Sequence, residues 1–317
     1  MAGTSLRISV VIPAHNEAAS IEKCVKSVLE QDYPNREVIV VNDGSMDRTS
    51  DIAKSLQVRV IDFKEGHSAA FARNAGAKEA TGGILYFLDG DAFLADRTYL
   101  SKMADDFNEA DAVGVRAVPD KPSTFIQACL GVVYSQVGYV MEKRIIANAP
   151  ESDQARGFWA VRRDVFQRLG GFDEKIFYYE DRDLHNRFFA AGYKTLYDPR
   201  LVIHSIDPKN WGEFIRQSSW NGRGLYEYYS RTGILHVRAF LLWGAYVASG
   251  IMGLLFLPSL PVFVLMNLAV LGFIAKTAMR SNDLVHSAGF VFLHFVRTVV
   301  VAFQFASSYL SEGGRKA

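Results

Sequence analysis

Cysteine, surplus charge, repetition and a leading apolar segment are what this chain has least of, and each scarcity removes a class of protein. Only 2 cysteines occur in 317 residues. Neither Cys24 nor Cys129 stands at metal-ligand spacing, so both read as small buried side chains in helix-like surroundings, and the free thiols point to a reducing compartment. The 35 Lys and Arg are offset by 34 Asp and Glu, a formal net charge of +1. No basic face of the kind that nucleic acid requires follows from that balance, and nucleic acid is excluded as a partner. No internal repeat or low-complexity stretch occurs, and no apolar segment of signal-peptide length precedes the first strand, so the catalytic part is expected to remain in the cytoplasm.

What is present is material for a large core: 49% of residues are hydrophobic and 22% charged. The first half alternates strand and helix patterns, the signature of a doubly wound sheet. Ile8-Ser9-Val10-Val11-Ile12 is a β-branched run ending at Pro13, followed by the loop Ala14-His15-Asn16-Glu17 and a helix to about Glu30. The second strand, Glu37-Val38-Ile39-Val40-Val41, runs into Asn42-Asp43-Gly44-Ser45, where glycine permits a tight turn and Asp43 stands at a strand end suited to a base or ribose. Asp47 has a plainer reading, as a cap on the next helix. A third strand at 58–61 precedes a helix of small residues whose polar exceptions are Arg73 and Asn74. Arg73 has two readings, a phosphate or base contact and an ordinary salt bridge. A helix over 98–110 and a strand over 112–118 are expected next.

The stretch about which these elements are organised is Leu85-Tyr86-Phe87-Leu88-Asp89-Gly90-Asp91-Ala92-Phe93-Leu94. A buried strand that stops at two carboxylates delivers them to the crevice at the carboxyl end of the sheet, where open α/β sheets bind ligands. Such hard oxygen donors suit Mg²⁺ or Mn²⁺, whose shell is usually completed by substrate phosphates. A surface turn is the alternative, since Asp-Gly favours turns.

Taken together, Val10-Val11-Ile12-Pro13-Ala14-His15-Asn16-Glu17, Asn42-Asp43-Gly44-Ser45 and Asp89-Gly90-Asp91 resemble, in order and spacing, the family 2 glycosyltransferases. The resemblance implies the GT-A fold, a Rossmann-like α/β sheet, and continues to about Asp207. It implies that Pro13, Ala14, Asn16, Glu17 and Asp43 meet the nucleotide, with Arg73 near the base. Asp89 and Gly90 would hold the sugar diphosphate, and Asp91, assisted by Asp89, the cation. UDP-sugars are the favoured donors and GDP-sugars the second choice.

Further on, Arg156-Gly157-Phe158-Trp159 supplies a glycine-containing strand expected to line an acceptor groove, and a Gly170-Gly171 turn follows. After the aromatic run Phe177-Tyr178-Tyr179 come Glu180, Asp181 and Asp183 at a helix start. Capping and the helix dipole account for one or two of these acids, while the aromatic run would partly desolvate them and raise a carboxylate's basicity. Inverting sugar transfer needs a base for the acceptor hydroxyl as well as charge stabilisation on the departing diphosphate. The resemblance assigns the base to Asp181, with Glu180 orienting the acceptor. His204 is a candidate third metal ligand, as in some GT-A enzymes, or an ordinary strand-end histidine.

Beyond residue 208 the composition changes. Residues 209–234 place Trp211, Phe214, Ile215, Ser218, Gly222, Leu225, Tyr226 and Tyr229 on one helical face and Arg216, Trp220, Arg223 and Glu227 on the other. Gly222 and Gly224 are expected to break that helix. It suits a membrane surface or packing on the domain, and Arg223, in Asn221-Gly222-Arg223-Gly224, resembles a segment of family members that act on lipid-linked acceptors. Apolar runs at 239–257 and 262–275 read as a transmembrane hairpin, and basic residues at both ends put them on the cytoplasmic side. The run 284–310 carries His286, His294, Arg297 and Gln304 on one face and reads as a third span, with an in-plane helix as the alternative. Residues 311–317 form a tail.

The expectation is a multi-pass membrane enzyme whose catalytic domain, 1–208, faces the cytoplasm and transfers a sugar from a nucleoside diphosphate sugar to a polyprenyl-linked or other membrane acceptor. The rivals are a processive polysaccharide synthase, for which the Gln-x-x-Arg-Trp motif is absent and the spans are few, and a catalytically silent nucleotide-sugar-binding scaffold.

Overall fold

A computed structural model describes residues 6–136, 142–147, 159–232, 260–281 and 283–313. The chain divides into two compact units, one from the described parts of Met1–Asp120 and Tyr139–Ile206, the other from those of Lys121–Gly138 and Asp207–Ala317. The second unit thus takes an internal segment that sequence order alone assigns to the first.

In the first unit, the apolar runs at the middle of the sheet become strands buried on both faces, as a parallel sheet demands. β1 (Ile8–Ala14), β2 (Arg36–Asp43), β3 (Arg59–Phe63) and β4 (Ile84–Phe87) are mutually parallel in the order β3-β2-β1-β4. The helices between them, α1 (Ile21–Leu29), α2 (Thr49–Ser55) and α3 (Ala69–Glu79), are the crossovers. In α1 the buried residues Ile21, Cys24, Val25 and Val28 fall on one face, while Glu22 and Lys26 pair one turn apart on the other. In α3 small residues, Ala70, Ala72, Gly76 and Ala77, are the buried ones.

Chain direction changes beyond β4. β5 (Ala92–Leu94), α4 (Tyr99–Asp106) and β6 (Ala112–Pro119) come next, α4 ending four residues before the expected 110. β7 (Arg144–Ile146), β8 (Trp159–Arg162), α6 (Arg163–Arg168), α7 (Glu180–Ala190) and β9 (Thr195–Ser205) complete the unit, α5 (Phe125–Gln136) belonging to the second. β8 runs antiparallel between β4 and β6, β6 pairs parallel with β9, and β5 and β7 both pair antiparallel with β9. The apolar stretch after Asp91 therefore forms a strand of its own, whose Phe93 stands opposite His204.

The second unit is helical: α5 (Phe125–Gln136), α8 (Trp211–Thr232), α9 (Leu260–Ser281) and α10 (Leu284–Gly313). α8 is continuous, against the expected break at Gly222 and Gly224. The reason lies in packing: a Cβ on Gly222 would stand 2.6 Å from the Val301 carbonyl oxygen of α10. Glycine serves close helix approach there rather than a kink. Among the described residues, one stretch, Leu284–Ser311, is long and apolar enough to cross a membrane, and Leu268–Met279 is a shorter apolar stretch. The expected span 239–257 lies outside the described residues.

Candidate active site

The carboxyl ends of β1, β2 and β4 lie side by side, so the loops that leave them share one edge of the sheet. Asp43, the last residue of β2, is buried and held from two directions. The His67 N–H donates to its Oδ2 at 2.9 Å, and His67 Nδ1 lies 2.9 Å from Oδ1. Since a carboxylate only accepts, this nitrogen carries a proton. His67 in turn stacks on Phe71, with ring centroids 4.1 Å apart. The main-chain carbonyl of Asp43 accepts from His15 Nδ1 at 2.6 Å. Gly44 follows at φ +68°, where a Cβ would stand 2.3 Å from the Gly66 nitrogen, so no side chain fits the turn.

The predicted donor loop is stitched to this turn. Asn16 donates its N–H to Ser45 Oγ at 2.9 Å and accepts from the Met46 N–H at 2.8 Å. The Glu17 N–H donates to Thr49 Oγ1 at 2.7 Å. Burial raises the Glu17 carboxyl above its ordinary range, with the charges of Asp89 and Asp47 adding to the effect. Pro13 and Ala14 end β1, and Gly90 lies against both the Pro13 carbonyl and the Glu17 side chain. Asp47 does what its plainer reading predicts, accepting from the Thr49 N–H at the start of α2 at 3.0 Å.

The second cluster centres on Arg73. Its Nη2 donates to Asp89 Oδ1 at 2.7 Å and its Nη1 to Glu180 Oε1. The side chains of Arg73 and Glu180 are only 12% and 10% exposed, so this is an interior bridge rather than a surface pair. Burial alone would lower the Arg73 pKa, but the carboxylates of Asp89, Glu180 and Asp181 outweigh it and raise it. Burial raises Glu180, and Arg73 opposes that shift. Arg73, Asp89 and Asp181 line one small cavity with Phe87, Phe172, Leu184 and His185. The two acidic motifs, far apart in the chain, therefore meet.

Neighbouring residues hold that cavity in shape. Asn74, next to Arg73, donates to the Phe172 carbonyl at 2.9 Å and accepts from the Phe172 N–H at 3.0 Å. Phe172 packs edge-on against Phe87 and lies 5.5 Å from the Arg73 guanidinium. Glu180, Asp181 and Asp183 all fall in the first turn of α7. Tyr179, just before it, sits at φ +69°, a left-handed conformation that costs a tyrosine about 1–3 kcal/mol. Asp183 is occupied by Arg187 at 2.7 Å.

Asp91 is half-buried, and its carbonyl accepts from the Ile206 N–H at 3.0 Å. Burial pushes the Cys24 thiol up, and the charges of Asp91 and Asp89 add to it. His204 stacks on Phe93 with centroids 5.1 Å apart, its Nδ1 3.4 Å from the Pro119 carbonyl. Among the described residues no three His, Cys, Asp or Glu side chains group as ligands of one metal ion. Gly157 and Phe158 lie outside the described residues, as does the Trp159 side chain, while the Trp159 backbone begins β8. Arg223 is exposed on α8 and paired with Glu227 at 3.2 Å. Sequence reasoning missed His15, His67, Phe172 and His185. The Glu65-Gly66-His67 loop at the carboxyl end of a parallel strand was the available signal for one of them.

Several known proteins are similar to this chain. The chain is 29% identical over 259 residues to the glycosyltransferase AglE of Haloferax volcanii, covering 77% of this chain and 81% of that one. It is 27% identical over 274 residues to the O-antigen chain rhamnosyltransferase RfbN of Salmonella typhimurium, covering 83% and 82%. Of another curated relative, YdaM of Bacillus subtilis, the chain spans only 55% of the length. The solved mannosyltransferase PcManGT from Pyrobaculum calidifontis, in complex with GDP-Man and Mn²⁺, superposes with a TM-score of 0.61 at 19% identity, over 96% of this chain and 88% of that one. That likeness confirms the expected GT-A fold. Residues 9–170 match the Glycosyl transferase family 2, and the chain belongs to that family.

Proposed function

We propose that the chain transfers a sugar, with inversion, from a nucleoside diphosphate sugar to an acceptor carried at the membrane, polyprenyl-linked by preference, on the cytoplasmic face. The observation that carries this is the meeting of Asp89 and Asp181 in one cavity beside Arg73. Asp181 takes the acceptor hydroxyl proton as the hydroxyl attacks the anomeric carbon. Arg73 faces the departing diphosphate, and Glu180 orients the acceptor. Asp43, with Pro13, Ala14, Asn16 and Glu17 beside it, receives the nucleoside.

The carboxylates of Asp89 and Asp91 fit Mg²⁺ or Mn²⁺ in kind, being hard oxygen donors. With no three-ligand group among the described residues, Asp89 and Asp91 would hold the ion together with donor diphosphate and water oxygens, and His204 is the further candidate from the protein. When bound, the ion stabilises negative charge on the leaving diphosphate. Gly157, Phe158, Trp159 and Arg223 are assigned to the acceptor side. The apolar runs 239–257, which lies outside the described residues, and 262–275 are assigned to the membrane hairpin. UDP-sugars remain first choice, and the GDP-Man held by PcManGT makes GDP-sugars the necessary comparison.

The test is a panel of nucleotide sugars offered with Mg²⁺ or Mn²⁺ to the membrane-embedded protein, scored for nucleotide release and product on a polyprenyl phosphate acceptor. Asp181→Asn should lose transfer by about 10²–10⁴-fold, the usual worth of a general base, and still bind nucleotide. Unchanged turnover removes Asp181 from its role. Donor binding with no metal-dependent consumption by the unaltered protein favours the silent scaffold, and long products favour a processive synthase.

A further inference from the structure

Helices α8 and α10 run side by side in the same direction. Trp211 meets Phe292 with ring centroids 6.3 Å apart, Arg297 Nη2 donates to Gln217 Oε1 at 3.1 Å, and Gly222 lies against Val301. Farther along, Tyr226 packs on Phe305 and Tyr309. At a rise of 1.5 Å per residue, the shared length from Trp211 to Tyr226 is about 22 Å, most of the roughly 30 Å of a bilayer's hydrocarbon. Any orientation that carries α10 through a membrane carries α8 through with it.

The surface of α8 is unsuited to that. Arg216, Trp220 and Arg223 are exposed, with the Arg216 guanidinium 5.9 Å from the Trp220 ring. By the pairings above they stand level with the middle of Leu284–Ser311. Arginines at that depth are expensive unless they face protein or water. The exposed face of α10 is different in kind: Val285, Phe292, Val299, Phe303 and Leu310 fall on one narrow stripe. Of its polar residues, Arg297 is turned to Phe214 and Gln217, and the small Gly289 lies against Cys129 of α5. One apolar stripe beside a flank of tryptophan and arginine matches the polarity gradient of a lipid interface, with rings at headgroup depth and guanidiniums among phosphates.

We infer that α8 and α10 lie together in the plane of the membrane surface, the α10 stripe sunk into the acyl boundary and Arg216 and Arg223 among anionic headgroups. α10 is then not a span, although its length and apolarity qualify it as one. The inference rests on the reading of the chain as membrane-bound and adds which helices touch lipid, and how.

The experiment uses the full chain reconstituted in sealed vesicles containing phosphatidylglycerol. Single cysteines are introduced as Met279→Cys, before α10, and Ser311→Cys, near its end, both at exposed positions. The native Cys24 and Cys129 are buried and contribute little background. A membrane-impermeant maleimide added outside should label both cysteines to the same fraction, and nitroxides at Phe292, Val299 and Phe303 should report one shallow depth. Complementary labelled fractions, or a depth gradient reaching the midplane, overturn the inference and leave membrane attachment standing. Failure of the chain to co-sediment with the vesicles overturns both.

Discussion

Arg73 of α3 and Glu180 of α7, 107 positions apart, are joined side chain to side chain in the interior of the catalytic unit. The same guanidinium holds Asp89. One cation therefore sets the spacing between the motif proposed to hold the diphosphate and the motif proposed to hold the acceptor. Replacing it by alanine would leave Glu180 as an uncompensated buried charge, typically a loss of about 3–5 kcal/mol. The informative variant is Arg73→Lys, which keeps the charge and loses the fork. Transfer should fall on the order of 10–100-fold, the worth of about 1.4–2.7 kcal/mol. Burial raises Glu180 and Arg73 opposes it, so a weaker partner lets Glu180 protonate at higher pH. The acid limb of the pH–rate profile should move upward. Lost activity with an unmoved limb would reduce Arg73 to a donor contact.

His67 keeps the Asp43 carboxylate in one orientation through two hydrogen bonds, one from its ring and one from its backbone. His67→Ala removes the first only. The donor KM should rise about tenfold, the worth of one hydrogen bond to a charged group, with kcat little changed. His67→Asn, whose amide can reach the same carboxylate oxygen, should restore most of the loss. Equal effects of the two variants on kcat would instead indicate general disruption of the loop.

Divalent cations should be required for transfer. Chelation with EDTA should stop donor consumption, and Mg²⁺ or Mn²⁺ should restore it. Asp91→Asn should shift the metal concentration at half-maximal rate by tenfold or more, with the melting temperature of the metal-free protein unchanged. A metal titration identical to that of the unaltered protein would remove Asp91 from the site.

Gly222→Ala sets two effects of opposite sign against each other. Alanine in a helix interior usually gains about 1 kcal/mol over glycine. Here its Cβ would meet a backbone carbonyl at 2.6 Å, with the Gln304 side chain at 2.8 Å, and overpacking of that kind costs about 1–3 kcal/mol. The clash should win, so the variant should melt lower in detergent. A rise in melting temperature would mean that the two helices separate freely.

Asp106 is buried, and desolvation, with the Asp198 charge adding to it, pushes its carboxyl up to about 6. A raised carboxyl stabilises the fold in its protonated form. That contribution is full below the unfolded value of about 3.9 and is lost as pH climbs through about 6. Asp198, held down by Arg200 against its own burial, acts in the opposite sense. Asp106→Asn should therefore raise the melting temperature at pH 7 relative to that at pH 5, compared with the unaltered protein. Parallel melting curves across that range would show that Lys143, 2.9 Å from Asp106, already compensates the charge.

Much of the catalytic unit was legible in the linear chain. Ile8-Ser9-Val10-Val11-Ile12 and Glu37-Val38-Ile39-Val40-Val41 had to be buried strands, because an apolar run of that length has nowhere else to go. With crossovers between them, the strand ends had to deliver Asp43 and Asp89 to one edge. What could not be read was partnership across distance. Nothing local distinguishes His67 from other loop residues, and only the fold sets its ring on Asp43; Arg73 fits a phosphate contact or a salt bridge equally well in the linear chain, and only the fold puts Glu180 beside it. Gly222 misled because glycine carries the same letter whether it breaks a helix or lets two helices touch.

Local chemistry along the chain was enough to determine element type, the location of the acidic turns and the change to apolar composition after residue 208, since each depends only on near neighbours. Tertiary structure decided the insertion of β8 antiparallel between β4 and β6, the capture of α5 by the C-terminal helices, and the union of Asp89, Arg73 and Asp181 around one cavity. Those outcomes depend on which surfaces bury each other and which buried charges find a counter-charge, and residues a hundred positions apart carry no record of that until the chain has closed around them.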